Sequence, residues 1–280
     1  MDNLKQQLLL AAKSGDFLSK ATEFYFVEKY NVSLELAKLH NNRTLNVIAE
    51  FQKLNRTDQQ HDFFTAIHLL EAVLPSISEP VADVMECIKH LTLETGDDMM
   101  AGNLISPFID YMSADAGRPK EALNIALKEI DPQFDFITLA LLAGTKLNLT
   151  EYAPQAIELC QHPNIDIRIR ATHALGRIQY SENLPLLSDA MAAIEFSISA
   201  EFDEMLFASA LRSSYSLYSQ DNTTEPRILA AFKIILEHHE DNILHTASKI
   251  LNSKSNIPEP LVDVLACTDT YKTNQQRHTG

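Results

Sequence analysis

The densest group of potential metal-binding side chains is the stretch EHHEDNILH, residues 237–245. His238 and His245 are seven residues apart, so a helix would bring them to one face, where imidazole and carboxylate groups can bind a metal ion. The stretch is equally typical of a helix C-terminus, a polar turn and a new helix, because Glu240 and Asp241 suit the N-terminus of that next helix. We therefore predict no metal site, with metal binding as the alternative.

A second pattern places an acidic residue three or four positions after a proline. The four acids are Asp83, Glu158, Asp189 and Asp263. If the helices that begin at these prolines stack in parallel, the carboxylates form a ladder that would bind a basic protein partner. The alternative is that each carboxylate is solvated and interacts favourably with its own helix N-terminus, which is worth roughly a few tenths of a kcal/mol at a surface.

Signatures of catalysis are missing from the sequence. The seven glycines are dispersed and form neither a phosphate-binding loop nor a nucleophile elbow. Cys87, Cys160 and Cys267 are far apart in apolar stretches, which predicts free thiols that pack as small hydrophobic groups. We expect no catalytic residue, no cofactor and no enzyme activity.

Composition limits the partners of this chain. The 280 residues are 45% apolar, enough for a packed core, and the net charge is −15. An acidic surface repels nucleic-acid phosphates and anionic lipids, so we expect neither nucleic acid nor membrane as a partner. A basic protein suits this charge, and solubility alone is the alternative explanation. The sequence leaves the oligomeric state open.

Targeting signals are also missing. The N-terminal MDNLKQQLLLAAKSGD has only five consecutive apolar residues and an early Asp, unlike a signal peptide. The apolar stretch FDFITLALLAGTKL is about half as long as a membrane span. We expect a cytoplasmic protein.

Helical periodicity dominates the chain and predicts an all-α fold. The predicted helices cover residues 2–13, 17–29, 33–54, 60–74, 79–93, 98–113, 119–130, 134–147, 152–161, 165–179, 183–196, 201–219, 226–238, 242–252 and 258–267. Prolines suit a first helical turn, and six of them recur at spacings of 31 to 41 residues, which is one helical hairpin per interval. The six are Pro80, Pro119, Pro154, Pro185, Pro226 and Pro260. In addition, ISEPVADVMEC, residues 77–87, agrees with IPEPLVDVLAC, residues 257–267, at six of eleven positions.

The stretch HPNIDIRIRATHALGRI, residues 162–178, predicts a helix with two apolar faces. One face carries Ile167, Ala171, Ala174, Leu175 and Ile178. The opposite face carries Ile165, Ile169, Thr172 and Gly176. Two apolar faces require burial on both sides, against the partner helix and against a neighbouring hairpin.

This stretch resembles the HEAT repeat, whose motif pairs a β-branched residue and Arg with a spaced Ala and an Ala-Leu-Gly. Ile167 and Arg168 take the first two positions. The remaining positions are Ala171, Ala174, Leu175, Gly176 and Ile178. The following ENLPLLSDAM resembles the second helix of the unit, so the similarity covers roughly residues 150–195, and no other segment repeats Arg168 at the matching place.

The resemblance implies a right-handed α-solenoid, a superhelix of antiparallel HEAT-like hairpins. It also implies that Arg168 is structural and hydrogen-bonds carbonyls or acids of the adjacent hairpin, with ligand binding as the alternative. We expect a divergent helical cap at 1–55, repeats at 56–267 and a polar tail at 268–280. Residues 1–55 could instead be a separate helical module.

The expected function is a non-catalytic scaffold or adaptor that binds a protein through a curved acidic surface. A more specific version is an immunity-type inhibitor of a basic toxin or enzyme. The alternative is a HEAT-like enzyme, either a glycosylase-type enzyme acting on nucleic acid or a lyase-type enzyme acting on a cofactor. The net charge of −15 and the absence of Trp argue against a glycosylase, and the single pair His239-Glu240 excludes a di-iron centre built from repeated pairs.

Overall fold

A computed structural model describes residues 2–57, 63–96, 104–180, 183–252, 257 and 259–265. Regular secondary structure in these ranges is entirely helical. No helix in them combines the length and the hydropathy needed to cross a membrane. The chain divides into two compact units, Met1–Ala143 and Gly144–Gly280.

Unit 1 is built from helices that contact one another in two rows. The helices are α1 (Asp2–Ser14), α2 (Phe17–Asn41), α3 (Val47–Phe51), α4 (Phe63–Val73), α5 (Val81–Thr95), α6 (Ile105–Ser113), α7 (Arg118–Lys128) and the first part of α8 (Phe136–Leu147). One row contains α2, α4 and α6 in succession, and the other contains α3, α5 and α7. Helix α1 packs on α2 at the N-terminal end of the first row.

The predicted helix 33–54 is wrong, because the chain turns between α2 and α3. Arg43 adopts a φ of 60°, a left-handed conformation that ends α2. Asn46 then begins α3 as an N-cap, and its side chain accepts a hydrogen bond from the backbone N–H of Ala49. Apolar residues recur on both sides of this turn, so hydrophobic periodicity alone does not detect it.

Residues 1–55 are joined to the rest of unit 1 through the buried carboxylate of Glu79. The side chains of Arg43 and Asn46 donate hydrogen bonds to its two oxygens. The His40 imidazole is fully buried, with Nε2 lying 3.0 Å from Glu79 Oε2, and its Nδ1 accepts a hydrogen bond from the N–H of Val47. The compact units divide at residue 143, and the cap at residues 1–55 stays a prediction.

Unit 2 also has two rows of contacting helices. Besides the end of α8 and the helical residues 259–265, it contains α9 (Leu149–Leu159), α10 (Ile165–Arg177), α11 (Leu184–Ala200), α12 (Glu204–Gln220), α13 (Glu225–Leu236) and α14 (Asp241–Leu251). Helices α9, α11 and α13 contact in succession, as do α10, α12 and α14. Helix α9 begins earlier than the predicted 152–161, so Pro154 lies inside the helix and not in its first turn.

Helix α10 packs on both sides, but its second apolar face is less buried than predicted. Thr172 is buried with its hydroxyl 3.7 Å from the Cys160 sulfur, and Gly176 is buried against α12, where a Cβ would lie 2.5 Å from the Ser213 Cα. Ile165 and Ile169 are only half-buried. The prediction of their full burial is therefore wrong, because periodicity within α10 does not show how completely the neighbouring helices cover this face.

Side-chain hydrogen bonds between helices recur at sequence separations of one helical hairpin. In unit 1, Asn41 bonds to Ser76 across 35 residues. In unit 2, Ser197 bonds to the carbonyl of Cys160 across 37 residues, and Asn242 bonds to Glu204 across 38. These separations fall within the proline spacing of 31 to 41 residues in the sequence.

Gly176→Ala tests the close approach of α10 and α12. We expect the free energy of unfolding to fall by about 1–3 kcal/mol, because the new methyl group meets backbone atoms of Ser213 that cannot rotate away. Urea denaturation followed by circular dichroism measures this change. Gly117→Ala is the control, since its Cβ would meet only the Asp115 side chain at 3.2 Å. A gain in stability for Gly176→Ala, as for an exposed helical glycine, would contradict the tight contact.

The buried His40 predicts a loss of stability in acid. Burial lowers the pKa of His40, and the nearby Arg43 acts in the same direction, whereas Glu79 partly opposes them. The unfolded chain therefore binds the proton more readily, and the free energy of unfolding falls as the pH drops below about 6.5. Urea titrations between about pH 7 and pH 5 should show a smaller fall for His40→Asn. His68→Asn, at an exposed position, should keep the fall of the natural chain, and an unchanged fall in His40→Asn would refute the assignment.

Candidate functional site

A groove of about 510 Å³ lies between α9 and α11 in unit 2. We call it the α9–α11 groove. Its lining combines apolar side chains with two carboxylates and one amide. The lining residues are Pro154, Ile157, Glu158, Gln161, Leu186, Asp189, Ala192, Ala193 and Phe196.

Two of the four predicted ladder acids meet in this groove. Glu158 lies in the last turn of α9, and Asp189 lies within α11, and both side chains are exposed. Because Glu158 is at the C-terminal end of its helix, it makes no favourable interaction with the helix N-terminus, whereas its exposure agrees with the solvation part of the alternative. The two carboxylates instead give the groove a negative charge.

The other two predicted acids lie elsewhere. Asp83 is exposed in the first turn of α5 in unit 1, where it suits the helix N-terminus. Asp263 is exposed in the helical residues 259–265 of unit 2 and does not line the α9–α11 groove. Of the four acids, Glu158 and Asp189 line one groove together, and a ladder through all four stays a prediction.

Apolar side chains line the groove together with the two carboxylates. Phe196 is 50% exposed, and Leu186 and Ile157 are half-buried beside it. Leu186, Asp189, Ala193 and Phe196 follow one another at intervals of three or four residues, so they share one face of α11. An exposed phenylalanine beside carboxylates suits a ligand that carries both apolar and basic groups.

Arg227 of α13 contacts α11 beside the side chains that line the groove. Its Nε and Nη2 each donate to one carboxylate oxygen of Glu195 at 2.7 Å, and Nη1 donates to the carbonyl and hydroxyl oxygens of Ser188. The hydrogen bonds with Glu195, together with the charges of Glu195 and Asp189, raise the pKa of Arg227. A cation thus fixes the helix that carries Asp189.

Arg168 connects two hairpins of unit 2. Its Nη2 donates to Oε1 of Glu201, the residue that ends α11, and its guanidinium is mostly buried. Ile167, the residue before it, is buried together with the other predicted motif positions Ala171, Ala174, Leu175, Gly176 and Ile178. The contact with Glu201 is one that a structural arginine makes with an acid of the adjacent hairpin.

The histidine-rich stretch 237–245 lies where α13 ends and α14 begins, and its histidines and acids are exposed whereas Ile243 and Leu244 are buried. The His238 ring stacks on Phe202, with ring centroids 4.1 Å apart. Across the described part of the chain, no group of three His, Cys, Asp or Glu side chains is placed to hold a metal ion.

The two described cysteines are buried free thiols. Burial raises the pKa of both Cys87 and Cys160 to about 12, so neither is ionised at neutral pH. Both pack as small apolar groups, as their sequence context predicts. Cys267 lies outside the described residues, as does the predicted tail 268–280.

Sequence reasoning found Glu158 and Asp189 but missed Arg227 and Phe196. The signal for Phe196 was present, because LPLLSDAMAAIEF has more apolar residues than one helix face can hold. Arg227 gave no signal, since its partner Glu195 is 32 residues away in the sequence.

Arg227→Lys tests the link between α11 and α13. A lysine cannot donate to both oxygens of Glu195 and to Ser188 at once, so we expect the free energy of unfolding to fall by about 1 kcal/mol, a modest value because the pair is partly exposed. Chemical denaturation in guanidinium measures the difference. Lys233→Arg, at an exposed position on the same helix, serves as the control. Equal stability of Arg227→Lys and the natural chain would show that the bidentate contact contributes nothing.

Comparisons with protein-family models, with curated proteins and with solved structures found no match to this chain. The function must therefore be inferred from the geometry of the molecule itself. In the α9–α11 groove, two carboxylates lie beside an exposed aromatic ring.

Proposed function

We propose that this chain is a non-catalytic α-solenoid scaffold of HEAT-like hairpins that binds a basic protein segment in the α9–α11 groove. The architecture is supported by the two rows of helices in each unit. It is also supported by interhelical hydrogen bonds that span about one hairpin, such as the 37 residues between Cys160 and Ser197. Each hairpin then adds side chains to a common surface.

The observation that carries the proposal is that Glu158 and Asp189 line one groove together with the half-exposed Phe196. Lysine or arginine side chains of a partner would pair with the carboxylates, while an apolar side chain of the same segment would contact the phenylalanine. The net charge of −15 would attract such a partner from a distance and raise its association rate. These are properties of a binding surface.

The acidic lining favours protein binding over a glycosylase-type enzyme. Such an enzyme needs cationic side chains against the phosphates of its substrate, and the carboxylates of Glu158 and Asp189 would repel them. An immunity-type inhibitor of a basic toxin or enzyme is a specific form of the proposal, and an adaptor in a larger assembly is another. The cytoplasm suits both forms, because Cys87 and Cys160 are free thiols of the kind that persist in a reducing compartment.

The double variant Glu158→Lys/Asp189→Lys tests the proposal. Peptides selected from a random phage-displayed library against the natural chain provide the ligand, and fluorescence polarisation measures its affinity. We expect the selected peptides to carry several Lys or Arg residues. We expect the double variant to weaken their binding roughly tenfold or more, because two attractive charge pairs become repulsive. Raising the salt concentration should weaken binding to the natural chain.

The matched control is Glu237→Lys/Glu240→Lys, which changes the net charge by the same amount at two exposed positions outside the groove. Its affinity should stay close to that of the natural chain. Equal weakening in both double variants would assign the effect to overall charge. Selected peptides without basic residues, or undiminished binding to the groove variant, would refute the proposed site.

A further inference from the structure

Unit 1 exposes an apolar ridge where α2 breaks. Glu28 has the non-helical angles φ −137° and ψ 58°, which interrupt the helix. Around it, Phe26, Val27 and Tyr30 are 71%, 79% and 74% exposed. We call these three residues the kink ridge. Single exposed apolar side chains are ordinary, but three within five positions of one helix form a patch typical of an interaction surface.

A groove lies on each side of the kink ridge. One groove, of about 410 Å³, lies between α1 and α2 and includes Leu4, Phe24 and Val27 in its lining. The other, of about 310 Å³, lies beside Tyr30 and includes Leu34 and Ala72. A ridge next to a recess of side-chain size is self-complementary in shape, since a two-fold rotation sets the ridge of one copy into the groove of the other.

The charges around the kink ridge are balanced. Lys20 and Lys29 offset Glu23 and Glu28 within residues 20–30, although the whole chain has a net charge of −15. Lys20 and Glu23 already pair within one copy at 2.6 Å, so part of this charge is compensated before a second copy binds. A strongly basic partner gains no advantage on a neutral surface, and an anionic lipid surface is repelled by the rest of the chain.

We propose that the kink ridge is the interface of a homodimer, in which the ridge of each copy packs into a groove beside the α2 break of the other. The size of the surface sets the strength of this association. Each aromatic side chain can bury on the order of 150 Å², so the ridge and its groove edges bury roughly 400–500 Å² per copy. A stable complex buries about 800 Å² per partner, so the dimer forms in the micromolar range and exchanges readily.

Sedimentation velocity of the full chain across the micromolar range tests the proposal. The natural chain should shift from monomer to dimer as its concentration rises. Phe26→Lys/Val27→Lys should remain monomeric at every concentration, because its four new charges per dimer would be desolvated at the interface. Leu93→Lys/Ile234→Lys is the matched control, since it places the same charges at exposed apolar positions elsewhere, 54% and 45% exposed, and should dimerise like the natural chain.

A second measurement does not depend on the lysine variants. Tyr30→Cys places a thiol on the kink ridge itself, so mild oxidation should give a disulfide-linked dimer, whereas Leu93→Cys, away from the ridge, should give little. A natural chain that stays monomeric, or a dimer that survives Phe26→Lys/Val27→Lys, would overturn the proposal. Binding to phosphatidylcholine–phosphatidylserine vesicles by a chain that stays monomeric would overturn it in favour of a membrane role for the ridge.

Discussion

The close approach of α10 and α12 is the contact on which the arrangement of unit 2 depends. Gly176 has no side chain, and a Cβ there would lie 2.5 Å from the Ser213 Cα, so only glycine allows the two backbones to come this near. Helix α10 also packs on α9, and α12 packs on α11. The α10–α12 distance therefore sets how far α9 lies from α11, and with it the width of the groove that contains Glu158 and Asp189.

Arginines supply directional hydrogen bonds between hairpins, whereas the packing of apolar side chains has no direction. Arg168 reaches Glu201 and Arg227 reaches Glu195, in each case from one hairpin to the next. In unit 1, Arg118 of α7 bonds to the carbonyl of Ile77 across 41 residues, and its guanidinium lies over the Tyr111 ring. A guanidinium suits this task because it donates in several directions at once while its stem packs on apolar neighbours. Such contacts fix the register of neighbouring hairpins.

The sequence predicts the positions of the helices better than the turns between them and the burial of their side chains. Helical periodicity and proline spacing locate most helices, because both depend on residues close together in the chain. The turn at Arg43 escaped prediction, since its left-handed conformation leaves the apolar pattern intact. The half-burial of Ile165 and Ile169 depends on how the neighbouring helices pack on this face, which no pattern within α10 can reveal. For the site, Glu158 and Asp189 were predicted from their spacing after prolines. That they line one groove with Phe196 depends on how α9 packs against α11, which the spacing does not show.

The two proposed surfaces require different partners for an electrostatic reason. Like-charged copies of a chain with a net charge of −15 repel one another, and the repulsion is strongest where carboxylates face each other without counter-charges. A second copy would therefore bind poorly at the α9–α11 groove, where Glu158 and Asp189 need cations. Residues 20–30, which contain the kink ridge, have two lysines and two glutamates, so the electrostatic repulsion between two copies is weaker there. A basic ligand instead binds preferentially at the α9–α11 groove, so it does not compete with a second copy for the kink ridge.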